Sequence, residues 1–176
     1  NETSVELCKV ALWMETLEPG KPLGFLDAHI RHGNSLVGVT SLDELDAGIP
    51  DDAYSAKTGD DKAAAAALKK RNRKERESQQ AGLFETHPED DLLREWREFQ
   101  AAPEETPQQI AAKTAAYAAL RREGGRWDQL RTACHLWTAA FFAEYTGDKR
   151  TDERIATTAD LRASLAQPQT ASREQV

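Results

Sequence analysis

Between Arg126 and Phe142 the apolar residues Trp127, Leu130, Cys134, Trp137 and Phe141 recur at i, i+3, i+7, i+10 and i+14. That interval follows the turn of an α-helix and not the two-residue alternation of a strand, so the segment predicts a helix with one unbroken apolar seam. Ala133, Leu136 and Ala140 widen the seam, which predicts a helix placed centrally among others. Pro88 opens an earlier helix at its first position, followed by acids suited to that end of the dipole. Its Leu92, Trp96 and Phe99 recur at i, i+4 and i+7, and Ala101-Ala102-Pro103 ends it. Thr106-Pro107-x-Gln109 starts another, with Ile110, Tyr117 and Leu120 on its covered side and Gly124-Gly125 as its stop. A last short helix begins near Thr157, carries Leu161 and Leu165, and gives way at Gln167 to a polar tail.

The length of 176 residues suggests one domain, or one and a fraction. Aromatic residues make up 7 %, so the core is thin for that length. Acidic residues outnumber basic ones by 30 to 23, a balance that disfavours a chain built wholly as a basic nucleic-acid module. Cys8 and Cys134 are too few and too scattered for a disulfide framework or a zinc site. Both fall on predicted apolar helix faces and read as reduced and buried. No secretory segment or membrane-length apolar run occurs, so the sequence reads as cytoplasmic, with no membrane partner. His29, His32, His87 and His135 make neither a metal-binding H-x-x-x-H pair nor a nucleophile triad, so no catalytic role falls to them.

Thr40 to Gly59 is acidic and turn-rich, with Asp43, Glu44, Asp46, Asp51 and Asp52 around Gly48 and Pro50. Those carboxylates fit no calcium-loop spacing, and the stretch reads as a solvated linker with one helical turn near Leu42–Leu45. Asp60 to Ala81 is a strong helix former. Six of the eight residues from Lys69 to Arg76 are basic. Lys69, Lys70, Arg71, Arg73 and Lys74 are thus candidate contacts to a phosphate backbone, held by counterion release. Against that, no aromatic residue interleaves for base stacking and Glu75 and Glu77 dilute the run, so a plain solvent-exposed helix is the competing reading.

The stretch from Asn1 to Gly38 carries the most specific information. Thr3 and Glu6 are spaced as a capping box. Val5, Leu7, Cys8, Val10, Ala11, Leu12, Trp13, Met14 and Leu17 leave only Glu6, Lys9 and Thr16 as a polar line, which predicts a helix covered on most sides. Pro19-Gly20 stops it, Leu23 to Ile30 supplies strand-like residues, and Gly33-Asn34-Ser35 is a turn signal. Helix, short loop, strand and polar loop make one unit of an open α/β sheet, where ligands sit beyond the carboxyl ends of strands.

Val5-Glu6-Leu7-Cys8-Lys9-Val10-Ala11-Leu12-Trp13, then Pro19-Gly20-Lys21-Pro22-Leu23, then Phe25-Leu26-Asp27-Ala28-His29-Ile30-Arg31-His32-Gly33-Asn34-Ser35-Leu36-Val37-Gly38, form a dense string. It resembles a segment of the adenine-N6 DNA methyltransferases of fused restriction-modification and related phage-defence systems. A looser resemblance covers Leu136 to Phe142 and Thr157-Thr158-Ala159-Asp160, which in that family lie shortly before the catalytic Asn-Pro-Pro-aromatic motif. The middle, from Val39 to about Arg126, matches in character only. Ala28 and His32 depart from the His and Cys common in relatives.

The resemblance implies an α/β fragment followed by a mainly α part: a piece of a Rossmann-like methyltransferase sheet plus a helical insertion. The divisions it implies are 1–38 for the partial methyltransferase unit, 39–87 for the acidic loop and basic linker helix, 88–166 for the insertion and 167–176 for the tail. It implies S-adenosylmethionine as cofactor, with Asn34 bonding its adenine and Ile30 and Leu36 beside the ring; an amide can both accept from the adenine amino group and donate to a ring nitrogen. Without the resemblance, Asn34 reads as a turn cap. The glycine-rich cofactor loop and Asn-Pro-Pro-aromatic are absent from the sequence, so no catalytic residue is assigned and no methyl transfer is expected from the chain alone. The expected identity is an internal piece of a longer enzyme, partnered by double-stranded DNA and by the rest of the methyltransferase chain. The alternative is a non-enzymatic helical module that binds DNA or protein.

Overall fold

A computed structural model describes residues 1–34, 36–78 and 88–166. Its elements, in order, are α1 (Glu2–Glu15), α2 (Leu42–Ala47), a 3-10 turn (Asp51–Tyr54), α3 (Lys62–Ser78), α4 (Pro88–Ala101), α5 (Pro107–Leu120), α6 (Arg126–Ala140), α7 (Lys149–Asp152) and α8 (Thr158–Ala166). Ser35, His87, the end of the expected basic helix at 79–81 and the polar tail from Gln167 lie outside the described residues.

The expected strand over Leu23–Ile30, and with it the Rossmann-like sheet fragment, is corrected: among the described residues there is no strand. A strand persists only where a neighbour completes its ladder. Here side chains take the backbone groups instead. The Trp13 indole N–H donates to the Gly24 carbonyl at 2.9 Å, the Phe25 N–H donates to the Glu104 carboxylate at 2.8 Å, and the Tyr117 hydroxyl donates to the Asp27 carbonyl at 3.2 Å. The segment then turns, His29 and Ile30 both donating to the Leu26 carbonyl at 3.0 and 2.9 Å.

The chain divides into two units. The first joins residues 1–35 to 89–122. Helix α1 is capped by Asn1, whose side chain accepts from the Ser4 N–H at 2.8 Å; the expected Thr3–Glu6 box is not its start. The expected cover on α1 is also absent. Leu7 is 65 % exposed, Met14 75 % and Leu17 67 %, while Lys9 is the helix's buried residue. Cys8 is likewise exposed, not buried. Helices α4 and α5 meet through Phe99 and Tyr117, stacked with ring centres 5.6 Å apart, and Phe25 stands edge-on to both at 6.0 and 5.4 Å. The Thr106–Gln109 capping box forms at the start of α5, with Pro107 at its first position. Lys113 is buried against the end of α4, donating to the Gln100 and Ala102 carbonyls at 3.2 and 3.0 Å and pairing with Glu104 at 2.6 Å. Lys113 thus satisfies carbonyls that a helix C-terminus leaves open.

The second unit joins residues 36–88 to 123–176. Its core is continuous: Leu45, Ile49, Tyr54, Leu68, Leu136, Tyr145 and Leu161 are all buried in one cluster. The acidic stretch is therefore no solvated linker, since Leu45, Ile49, Ala53 and Tyr54 all lie inside that cluster. Along α6 the fully covered residues are Ala133, Leu136 and Ala140, and the expected seam residues Leu130, Cys134, Trp137 and Phe141 pack around them. The helix is rotated slightly from the face that its largest side chains mark, because small residues allow the closest approach. A buried polar knot adds to this core. Asn72 donates to the Ile49 carbonyl at 2.8 Å and accepts from the Thr158 N–H and hydroxyl at 2.8 and 2.7 Å; the Ile49 N–H in turn donates to the Thr158 hydroxyl oxygen at 3.1 Å. Gly48 passes that knot with φ +81°, and a Cβ there would lie 2.7 Å from the Thr158 methyl, so only glycine fits.

Candidate functional site

Two surfaces gather charged side chains, one in each unit. In the first unit a groove of about 630 Å³ opens between α1, the 25–32 segment and α5. Phe25 and Tyr117 form part of its wall, and Lys9, Asp27, Arg31 and Arg121 supply charge. The Lys9 side chain is only 7 % exposed and is held by Asp27 at 2.6 Å and Glu6 at 2.7 Å. Those two carboxylates, Asp27 foremost, raise its pKa and keep it an ammonium. Arg121 lies over the Tyr117 ring at 5.3 Å and donates to its hydroxyl oxygen at 3.4 Å, while its Nε is buried without a hydrogen-bond partner. Such a groove can hold a polar ligand. It offers no nucleophile paired with a base.

Of the three residues implied for cofactor contact, Ile30 is half-buried in this groove, Asn34 is exposed and outside its lining, and Leu36 is 92 % exposed in the second unit. Among the described residues no strand tip presents Asn34, and of the three only Ile30 lines this groove. These residues as placed do not fit S-adenosylmethionine.

In the second unit the basic run lies on α3, and packing divides its members. Asn72 is fully buried in the polar knot. Arg71 pairs with Glu75 at 2.8 Å. Arg73 pairs with Asp51, and Arg76 reaches the same carboxylate at 3.2 Å. The Arg73 contact, the larger influence, overcomes desolvation and holds the Asp51 carboxyl below the usual range. Burial opposes ionisation of Glu75, yet the Thr157 hydroxyl, Arg71 and the Ala159 N–H outweigh it and keep that carboxyl low. Lys69 is half-buried, and Lys70, Arg73 and Lys74 are exposed. The run is thus neither a bare solvated helix nor a uniform cationic patch.

Among the described residues no group of three or more His, Cys, Asp and Glu could hold a metal ion, and no helix is long and apolar enough to cross a membrane. The buried phenols are structural donors. Tyr54 bonds the Ala156 carbonyl at 2.8 Å, and burial pushes the Tyr145 hydroxyl up to about 12. Sequence reasoning missed Lys9, Lys113 and Asn72 as buried polar residues; the one available signal was the placing of Lys113 midway between Ile110 and Tyr117 on the covered face of α5. No protein-family model, curated protein or solved structure matches the chain.

Proposed function

We propose that the chain is part of a site-specific adenine-N6 DNA methyltransferase of a restriction-modification or phage-defence system, working in the cytoplasm on double-stranded DNA. The observation that carries this reading is the string from Val5 to Gly38, dense in family-typical residues over three consecutive blocks. The apolar residues of α1 and of the turn after it support it: Leu7, Val10, Leu12, Met14 and Leu17 are all exposed, as expected of a helix that the rest of an enzyme would cover. S-adenosylmethionine would supply the methyl group of that reaction. The residues present make no cradle for it, so the chain's own share is to provide one wall and a helical body.

The coding sequence around this segment tests the proposal. A glycine-rich loop upstream and Asn-Pro-Pro-aromatic downstream are expected, and the complete protein should transfer a tritiated methyl group to adenine in duplex DNA. Flanks lacking both motifs, or a complete protein with no transfer, would overturn it. A second reading, a non-enzymatic helical interaction module, is favoured by the wholly helical set of described elements. It predicts an intact partner complex and no methyl transfer in any context.

A further inference from the structure

The packing of α3 sorts its cations by direction. At 100° per residue, the buried Ala65, Leu68 and Asn72 share one side of the helix. Lys62, Lys70, Arg73 and Lys74 fall within a sector of about 120° on the other side, and the half-buried Lys69 stands between that sector and the core. From Lys62 to Lys74 the row rises about 18 Å along the axis, at 1.5 Å per residue. Arg73 shares its charge with Asp51, Lys69 is half-buried and also acts on Asp51, and Glu77 lies in the same sector and offsets one lysine, so the outward charge is carried mainly by Lys62, Lys70 and Lys74. The row is also stiff. Asn72, Leu68 and Ala65 fix the opposite face in the core and in the polar knot, so these cations keep one orientation.

We propose that this outward lysine row is a docking surface for the phosphate backbone of duplex DNA. The choice of DNA rests on the methyltransferase reading; the charge and its alignment do not. A band of cations along one side of a helix, with no aromatic residue and no planar amide directed outward, suits backbone tracking, in which cations release condensed counterions and no base is read. A chain of net charge −7 binds by such a row only weakly, within the roughly 10⁻⁴–10⁻⁶ M range of non-specific contacts.

The test is fluorescence anisotropy of the full chain with a labelled 20-base-pair duplex of arbitrary sequence, between about 50 and 200 mM salt. Neutralising three phosphates gives an expected slope of log K against log salt of about −2.7. The combined Lys62→Ala, Lys70→Ala and Lys74→Ala variant should lose most of that slope and at least about tenfold in affinity at the lowest salt. The matching Lys→Arg variant should keep both, and circular dichroism of each variant reports whether α3 is intact. Unchanged binding in the alanine variant would overturn the row while leaving a DNA-binding protein. No binding by the unaltered chain, or stronger binding to polyglutamate than to DNA, would also overturn it. Methyl transfer by the complete protein is measured separately, so loss of the row and loss of the methyltransferase reading are distinguishable.

Discussion

The two units hold themselves together differently. The second has a core in which residues from five segments meet, and its polar knot ties Ile49, Asn72 and Thr158 by four hydrogen bonds to neutral partners. The first relies on three aromatic rings and on two lysines held by carboxylates, while most of α1 faces outward. Among the described residues, the cluster of the second unit has twelve buried members and that of the first has three. The first unit carries most of the string from Val5 to Gly38 and leaves most apolar residues of α1 exposed. Specific sequence and complete packing therefore lie in different parts of this chain.

Core substitutions should expose that contrast most strongly. Leu136→Ala, in the second unit, should cost about 2–5 kcal/mol in denaturant unfolding, because Leu136 is 1 % exposed and a cavity remains. Leu7→Ala, on α1, should stay within about 0.5 kcal/mol. An equal loss at both positions would mean that something covers α1. A smaller effect is expected at Asn72→Ala, about 1–3 kcal/mol from stranding the Ile49 carbonyl and the Thr158 N–H. An unfolding free energy unchanged by this substitution would reduce the knot to an ornament of packing.

Acid should act next, through lowered carboxyls in each unit. Burial raises the Glu104 carboxyl, but Lys113 and the Phe25 N–H outweigh it and leave the group below the ordinary glutamate value of 4.5. A carboxyl lowered by folding stabilises above its unfolded value, and that contribution disappears as pH falls through the lower folded value. The lowered Glu75 carboxylate, which accepts from the Ala159 N–H, gives the second unit a separate acid dependence, and hydrogen exchange in the 24–30 segment should speed up below about pH 4.5. Glu104→Gln should flatten that dependence. If both regions open together, the units share one cooperative transition. The smallest effect is chemical and leaves stability untouched. Exposed Cys8 should react with a maleimide well before Cys134, whose thiol burial pushes up.

Sequence periodicity located the helices that are amphipathic by their own residues. Pro88, the Thr106–Gln109 box and the run from Trp127 to Phe141 each mark an element that the structure contains. It failed where neighbours decide the outcome. The apolar residues of 45–54 are interrupted by acids, so nothing local indicates that Ile49 and Tyr54 end up fully buried. Leu23 to Ile30 has strand-like composition, yet pairing is a property of two segments, and Trp13, Glu104 and Tyr117 reach its backbone first. The groove was equally hidden, since Lys9, Asp27 and Arg121 are brought together only by folding. Asn72 read as a gap in a basic run.

That gap sets the angular phase of the whole helix. With a leucine in place of Asn72, Ala65 and Leu68 would still mark the buried side of α3, but no directional bond would hold the helix to one rotation about its axis. A single amide, bonded on both of its ends, acts as the index mark that decides which way the charge points.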